Sequence, residues 1–199
     1  MSTVKSKNLQ VGTDATASNN FTIYQPSTPD GTLRIGVGNA DSPTEVGRFT
    51  SAGYKPATAP AFRANATTAT SLSNTVSTKA IFDYIDFDTT SDFDTSNYRY
   101  TPSVAGYYQF NAATYINTGM ATGGQVSIRI KKNGSVDYYG NIMNTSGTDS
   151  ISPVISITLY ANGTTDYFEI YVRQATGATH QITSNGALSW FTGHLVQQA

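Results

Sequence analysis

Cysteine is missing from the 199 residues. Its absence excludes a disulfide framework and a thiol nucleophile, and fits a protein made in a reducing cytosol. Charge is scarce as well. Only 13% of residues are charged, with a net charge of -1, whereas globular chains usually carry about a quarter. A nucleic-acid binder needs a basic patch, and the sequence has none. No apolar run approaches the length of a membrane span, and the opening MSTVKSKNLQVGT lacks the apolar core of a signal peptide. Neither nucleic acid nor membrane is therefore expected as a partner.

The chemistry of catalysis is equally thin. His180 and His194 are the only histidines, and without cysteine they fall short of the three or four ligands of a zinc site. There is no Gly-x-Ser-x-Gly elbow to make a serine nucleophile. Gly36-Val37-Gly38 begins like a dinucleotide loop, but Asp41 stands where the third glycine belongs and no helix pattern follows. Asp83, Asp86, Asp88, Asp92 and Asp94 crowd together, as hard cations require. The closing glutamate and glycine of an EF-hand are missing, and the interleaved Tyr84, Phe87 and Phe93 suggest strands that scatter the carboxylates over two faces. The expectation is no enzyme, no cofactor and no metal. Asn20, Asn65, Asn133, Asn144 and Asn162 fall in glycosylation-like triplets, which an Asn/Thr-rich chain produces without a signal peptide to make them meaningful.

Thr, Ser, Asn, Gly and Tyr fill the space left by charge, a composition suited to short strands and turns. In residues 1–53, Leu9 and Val11 alternate with polar residues, Phe21 to Tyr24 suits a short strand, and Pro29-Asp30-Gly31 is a strong turn. Leu33, Ile35 and Val37 then alternate with Thr32, Arg34 and Gly36. This segment has few large apolar residues and is expected to fold against copies of itself or another protein. Residues 54–60, around Lys55-Pro56-Ala57-Thr58-Ala59-Pro60, read as a stiff linker.

Residues 61–199 carry most of the apolar pattern. Phe62 opens a strand, and Thr67 to Ser77 reads as a Thr/Ser-rich loop. Val126, Ile128 and Ile130 oppose Ser127, Arg129 and Lys131, followed by the Asn133-Gly134 turn. Ile155, Ile157 and Leu159 repeat the alternation, Asn162-Gly163 turns the chain, and Phe168, Ile170 and Val172 follow. The turn spacing predicts roughly eight to ten strands in a sandwich or barrel, with no helix.

The stretch FDYIDFDTTSDFDTSNYRYTPSVAGYYQF, Phe82 to Phe110, organises the chain. Phe82, Asp88, Phe93, Tyr100, Gly106, Tyr108 and Phe110 recur with strict spacing, and the ending Phe191-Thr192-Gly193-His194-Leu195 matches a closing strand. This pattern resembles the complement globular-head, tumour-necrosis-factor-like jelly-roll family. Tyr100 departs from it by standing where Phe is usual, and Ala112 by standing where an aromatic is usual, which removes a ring from the core. The resemblance implies an all-β, jelly-roll β-sandwich that assembles as a homotrimer. Counting by twos puts Tyr107, Tyr115, Tyr167 and Tyr171 outward, and several outward tyrosines suggest the trimer interface.

The first segment resembles N-terminal modules of bacteriophage fibre and other virion proteins. Together the two resemblances imply a non-enzymatic virion structural protein, made in the host cytoplasm and displayed on the particle. Its trimeric knob is expected to decorate or cement a capsid, anchored to other virion proteins through residues 1–53. The alternative is a short tail fibre or spike whose knob binds a host surface glycan or protein. A long shaft would need heptads or repeats, and neither occurs.

Overall fold

The computed structural model describes residues 7–57, 59–117, 119–147 and 150–199. The chain divides into two units, Met1–Ala59 and Pro60–Ala199. Residues 1–6, which belong to the expected anchor, and Thr58 of the expected linker lie outside the described residues.

The first unit is a single antiparallel sheet in which each strand pairs with the next. Its strands are β1 (Asn8–Val11), β2 (Phe21–Tyr24), β3 (Leu33–Val37), β4 (Thr44–Thr50) and β5 (Gly53–Pro56). The register puts Leu9 opposite Ile23, Ile23 opposite Ile35, Leu33 opposite Phe49, and Phe49 opposite Tyr54. Directly paired residues share a face, so one face of the sheet is apolar from edge to edge. The other face carries Thr22, Arg34, Glu45 and Arg48, with Glu45 bridging Arg34 at 3.3 Å and Arg48 at 2.6 Å. At the β2–β3 turn, Gly31 takes a positive φ of 78° and the Asp30 carboxylate accepts from the Thr32 hydroxyl and Arg34. Asn20 is fully buried, and its amide donates to Asp14 O and Asn39 Oδ1, which removes it as a glycosylation acceptor.

The linker is shorter than expected. Tyr54, Lys55 and Pro56 belong to β5, because their backbones pair with Phe49, Arg48 and Gly47. An edge strand tolerates Pro56, since only one side of it needs a ladder.

The second unit is the sandwich. Its first strands are β6 (Ala61–Asn65), β7 (Thr70–Leu72), β8 (Ser77–Lys79), β9 (Tyr84–Asp88), β10 (Phe93–Asp94) and β11 (Arg99–Tyr100). Then follow β12 (Gly106–Ala113), β13 (Gln125–Lys132), β14 (Val136–Asn144), β15 (Val154–Ala161), β16 (Phe168–Ala175), β17 (His180–Ile182) and β18 (Trp190–Gln198). The stretch read as the loop Thr67 to Ser77 therefore contains a strand, β7, which pairs with β17. One sheet runs β15-β12-β18-β6-β9, and the other β10-β11-β16-β13-β14 with β8 alongside β16. Among the described residues the only helical turn is the 3-10 turn Ala17–Asn19 of the first unit.

The two sheets meet over rings. Phe62 stacks on Tyr100 at 4.0 Å between centroids, and Phe110 lies 4.4 Å from Phe168 across the sandwich. Phe191 meets Phe62 edge-on at 4.9 Å. Between β13 and β14, Asn133 and Gly134 take positive φ of 55° and 67°, as the Asn-Gly signal predicts.

Candidate interaction surfaces

The spaced residues of the Phe82–Phe110 stretch are interior. Phe82, Tyr100, Tyr108, Phe110 and Phe191 are fully buried, and Phe93 nearly so. The two glycines are there because neighbours occupy the place of a side chain. A Cβ on Gly193 would lie 2.7 Å from Phe110 Cδ1 and 2.8 Å from Phe62 Cε1, and one on Gly106 would strike Gln197 O. Asp88 is a brace. Its carboxylate accepts from Phe93 N at 2.7 Å and from Thr90 N at 3.2 Å, joining β9 to the β10 turn. Ala112 is buried between Phe191 and Ile155 on the adjoining strands. The Tyr108 hydroxyl donates to Val104 O at 2.9 Å, and burial, helped by the nearby Asp92 charge, pushes its pKa up to about 12.

The remaining aspartates are each engaged locally. Asp83 accepts from Thr67 N, Asp86 pairs with Arg63 at 3.0 Å, Asp92 accepts from Ser103 N and its hydroxyl, and Asp94 accepts from Asn97. Among the described residues no group of three or more His, Asp or Glu is placed to hold a metal ion. His180 is buried on β17, and His194 is exposed on β18 opposite Gln109 and Ala61.

The four outward tyrosines do not share one surface. Tyr107 lies on the outer face of the β12 sheet, 49% exposed, with its ring 5.5 Å from Tyr160 of β15. Tyr171 lies on the outer face of the other sheet, its ring 4.9 Å from the Lys131 ammonium and beside the Lys79–Glu169 pair. Tyr167 leads into β16 under the Arg99 guanidinium at 4.6 Å. Tyr115 is tied into its own chain, with its hydroxyl on Ser150 Oγ at 2.5 Å and its N–H on Ser189 Oγ. Period-two counting gives the side of a strand but not which sheet the strand joins, so it merged two faces into one patch.

The outer face of the β12 sheet holds further rings that this counting passed over. Tyr84 and Phe87 on the edge strand β9 are 54% and 47% exposed, and Trp190 on β18 lies 5.5 Å from the Arg63 guanidinium. Between the rings runs an uncharged strip in which Gln109 bonds Ser156 at 3.0 Å and Thr158 at 2.6 Å. A signal for Tyr160 was available, since Leu159 inward forces Tyr160 outward. The signal for Phe87 was broken by a bulge in the β6–β9 pairing between Arg63 and Ala64.

The outer face of the other sheet is of a different kind. A groove of about 250 Å³ is lined by Gln125, Ser127, Arg129, Tyr139, Ile142 and Arg173. Arg129 is buried there, donating to Asp137 at 3.0 Å and to the Tyr139 hydroxyl at 3.2 Å.

No family model and no curated relative matches the chain. Solved structures do. The globular domain of zebrafish complement 1qA is similar at 16% identity and TM-score 0.50, covering 70% of this chain and 99% of that one. The crystal structure of murine APRIL at pH 5.0 is similar at 7% identity and TM-score 0.51, covering 70% of this chain and all of that one. The fold is thus an all-β jelly-roll sandwich of the kind seen in complement globular heads and tumour-necrosis-factor-like domains. At these identities the likeness speaks to the fold.

Proposed function

We propose that the protein is a non-enzymatic, homotrimeric surface knob of a virus particle, of the capsid-decorating or cement type, held to other virion proteins through its N-terminal unit. The observation that carries the trimer is the outer face of the β12 sheet. It is uncharged along β12 and β15, which pair without a break over eight residues, it is ringed by Tyr84, Phe87, Tyr107, Tyr160 and Trp190, and its Arg63–Asp86 ion pair is closed on itself at 3.0 Å beside Trp190. Interfaces favour such aromatic, charge-poor surfaces over Lys- and Glu-rich ones. The sandwich likeness to complement 1qA and APRIL supports the same assembly. The virion role is supported by the resemblance of the first segment to phage fibre and virion modules. Low charge, absent cysteine and an all-β build suit a particle component more than a catalyst. Sedimentation or light scattering of the full chain tests the assembly. Three times the chain mass is expected, and a stable monomer at micromolar concentration would overturn it.

A second reading is favoured by the groove on the opposite face. Arg129, Arg173, Gln125 and Ser127 around Tyr139 offer the polar and aromatic contacts that glycans use. In that reading the protein is a short tail fibre or spike, and the groove meets a host surface glycan or protein.

A further inference from the structure

The first unit has an apolar face without a second layer. A sheet that is apolar on one face needs another element against it, and domains are built from at least two layers. Within Met1–Ala59 the described residues supply only the one sheet. Leu9, Phe21, Ile23, Leu33, Phe49 and Tyr54 stand between 36% and 57% exposed. Beside them a groove of about 630 Å³ runs along Leu9, Ile23 and Leu33, with Lys7, Gln25 and Thr32 also lining it.

The geometry points to one occupant: the same face of another copy of this chain. Along Leu9, Phe21, Ile23, Leu33, Phe49 and Tyr54 the face carries no charge; Lys7 stands at the rim of the groove, and Arg34, Arg48, Glu45 and Asp30 are paired among themselves on the other side. A uniformly apolar face is complementary to itself: two form a sandwich, and three enclose a prism. Half-exposed large side chains leave on the order of 100 Å² each, so the face offers roughly 600–700 Å², close to the about 800 Å² that one partner gives a standard interface. Chains already joined through their second units would hold these faces at high effective concentration. The inference extends the homotrimer reading to the first unit. The mass of the full chain tests that reading, while the experiment below tests the face, so either fails without the other.

The absence of cysteine makes an introduced thiol a unique probe. Full-length chains carrying Leu33→Cys or Ile23→Cys on the apolar face, or Lys55→Cys on the opposite face, are treated with a water-soluble maleimide and with a short bis-maleimide. Because both apolar positions are partly exposed within their own sheet, at least one variant retains the fold. The expected result is labelling at Leu33→Cys and Ile23→Cys about ten-fold slower than at Lys55→Cys, as cover by a partner requires, with chain-to-chain linkage at the two slow positions alone. Equal rates would overturn the inference. Slow labelling without linkage would instead place the chain's own second unit over the face. Protection that appears only when particles are added would assign the face to another virion protein, and would equally overturn it.

Discussion

At the scale of single residues, Phe110 and Gln109 make the sharpest contrast. They are neighbours on β12, one buried against Phe168 and Phe191, the other bonded to Ser156 and Thr158 on the outer face. Removing a buried ring leaves a cavity that close-packed neighbours only partly fill, so Phe110→Ala is expected to cost about 3–5 kcal/mol. Gln109→Ala loses hydrogen bonds on the outer face without opening a cavity in the core, and is expected to cost the fold of the chain about 1 kcal/mol or less. Urea unfolding of both variants checks the difference, and equal losses would mean that the facing of β12 is wrong.

Tyr108 gives a pH dependence of definite sign. Its phenol ionises near pH 10 in the unfolded chain and only near about 12 in the folded one, where burial opposes the charge. Burial likewise raises the pKa of Tyr100. Stability from these groups is fully present below pH 10 and is lost as pH rises toward 12, because there the unfolded chain has released protons that the folded chain still holds. Urea unfolding followed across that window should show a falling midpoint. Tyr108→Phe should make the fall shallower, and an unchanged slope would remove Tyr108 as a contributor.

At the scale of elements, legibility followed strand length. β12, β13 and β16 have eight residues each, enough for several inward–outward alternations, and the sequence pattern gave their buried sides correctly. β10 and β11 have two residues and β7 three, too few for any period to register. The family-like spacing from Phe82 to Phe110 reached the core because buried rings and the glycines under them tolerate few substitutes. The surfaces were less legible, since a surface depends on which strands become neighbours. Tyr107 and Tyr171 were both read as outward, and both are, but on opposite sheets.

That separation turns into a prediction about the β12 sheet. Tyr107→Glu puts a carboxylate among Tyr160, Gln109 and Gln197, where an interface would strip its water and where the ammonium beside Tyr160, that of Lys132, is already paired with Asp166 at 2.8 Å. The proposed trimer is expected to dissociate more readily, with the folded monomer retained because Tyr107 contributes little to the core. Tyr171→Glu lies beside Lys131 and Lys79, which accommodate the charge, so its assembly is expected to match that of the parent. Sedimentation over a dilution series checks both. Dissociation by Tyr171→Glu alone would move the interface to the β13 sheet.

At the scale of the whole molecule, the two units differ in how they are built. Pro60–Ala199 has a two-sheet core of its own, whereas the first unit has one sheet and an uncovered apolar face. A fragment of residues 60–199 should therefore remain folded, and if the first unit is the anchor, as proposed, the full chain should bind particles and the fragment should not. The place of binding separates the two functions. A capsid-decorating protein occupies many equivalent sites, so tailless heads are expected to take up the full chain in many copies and to gain resistance to heat or low ionic strength. Ligand binding to the native state alone stabilises it in this way. A fibre behaves differently: heads ignore it, tails carry a few copies, and the 60–199 fragment competes with intact particles for host cells. In that case Arg173→Ala, at the mouth of the β13-sheet groove, should weaken the competition while leaving the mass of the assembly unchanged. Competition by the fragment, loss of that competition in Arg173→Ala and empty heads would together make the knob an adhesin, with the groove as its binding site.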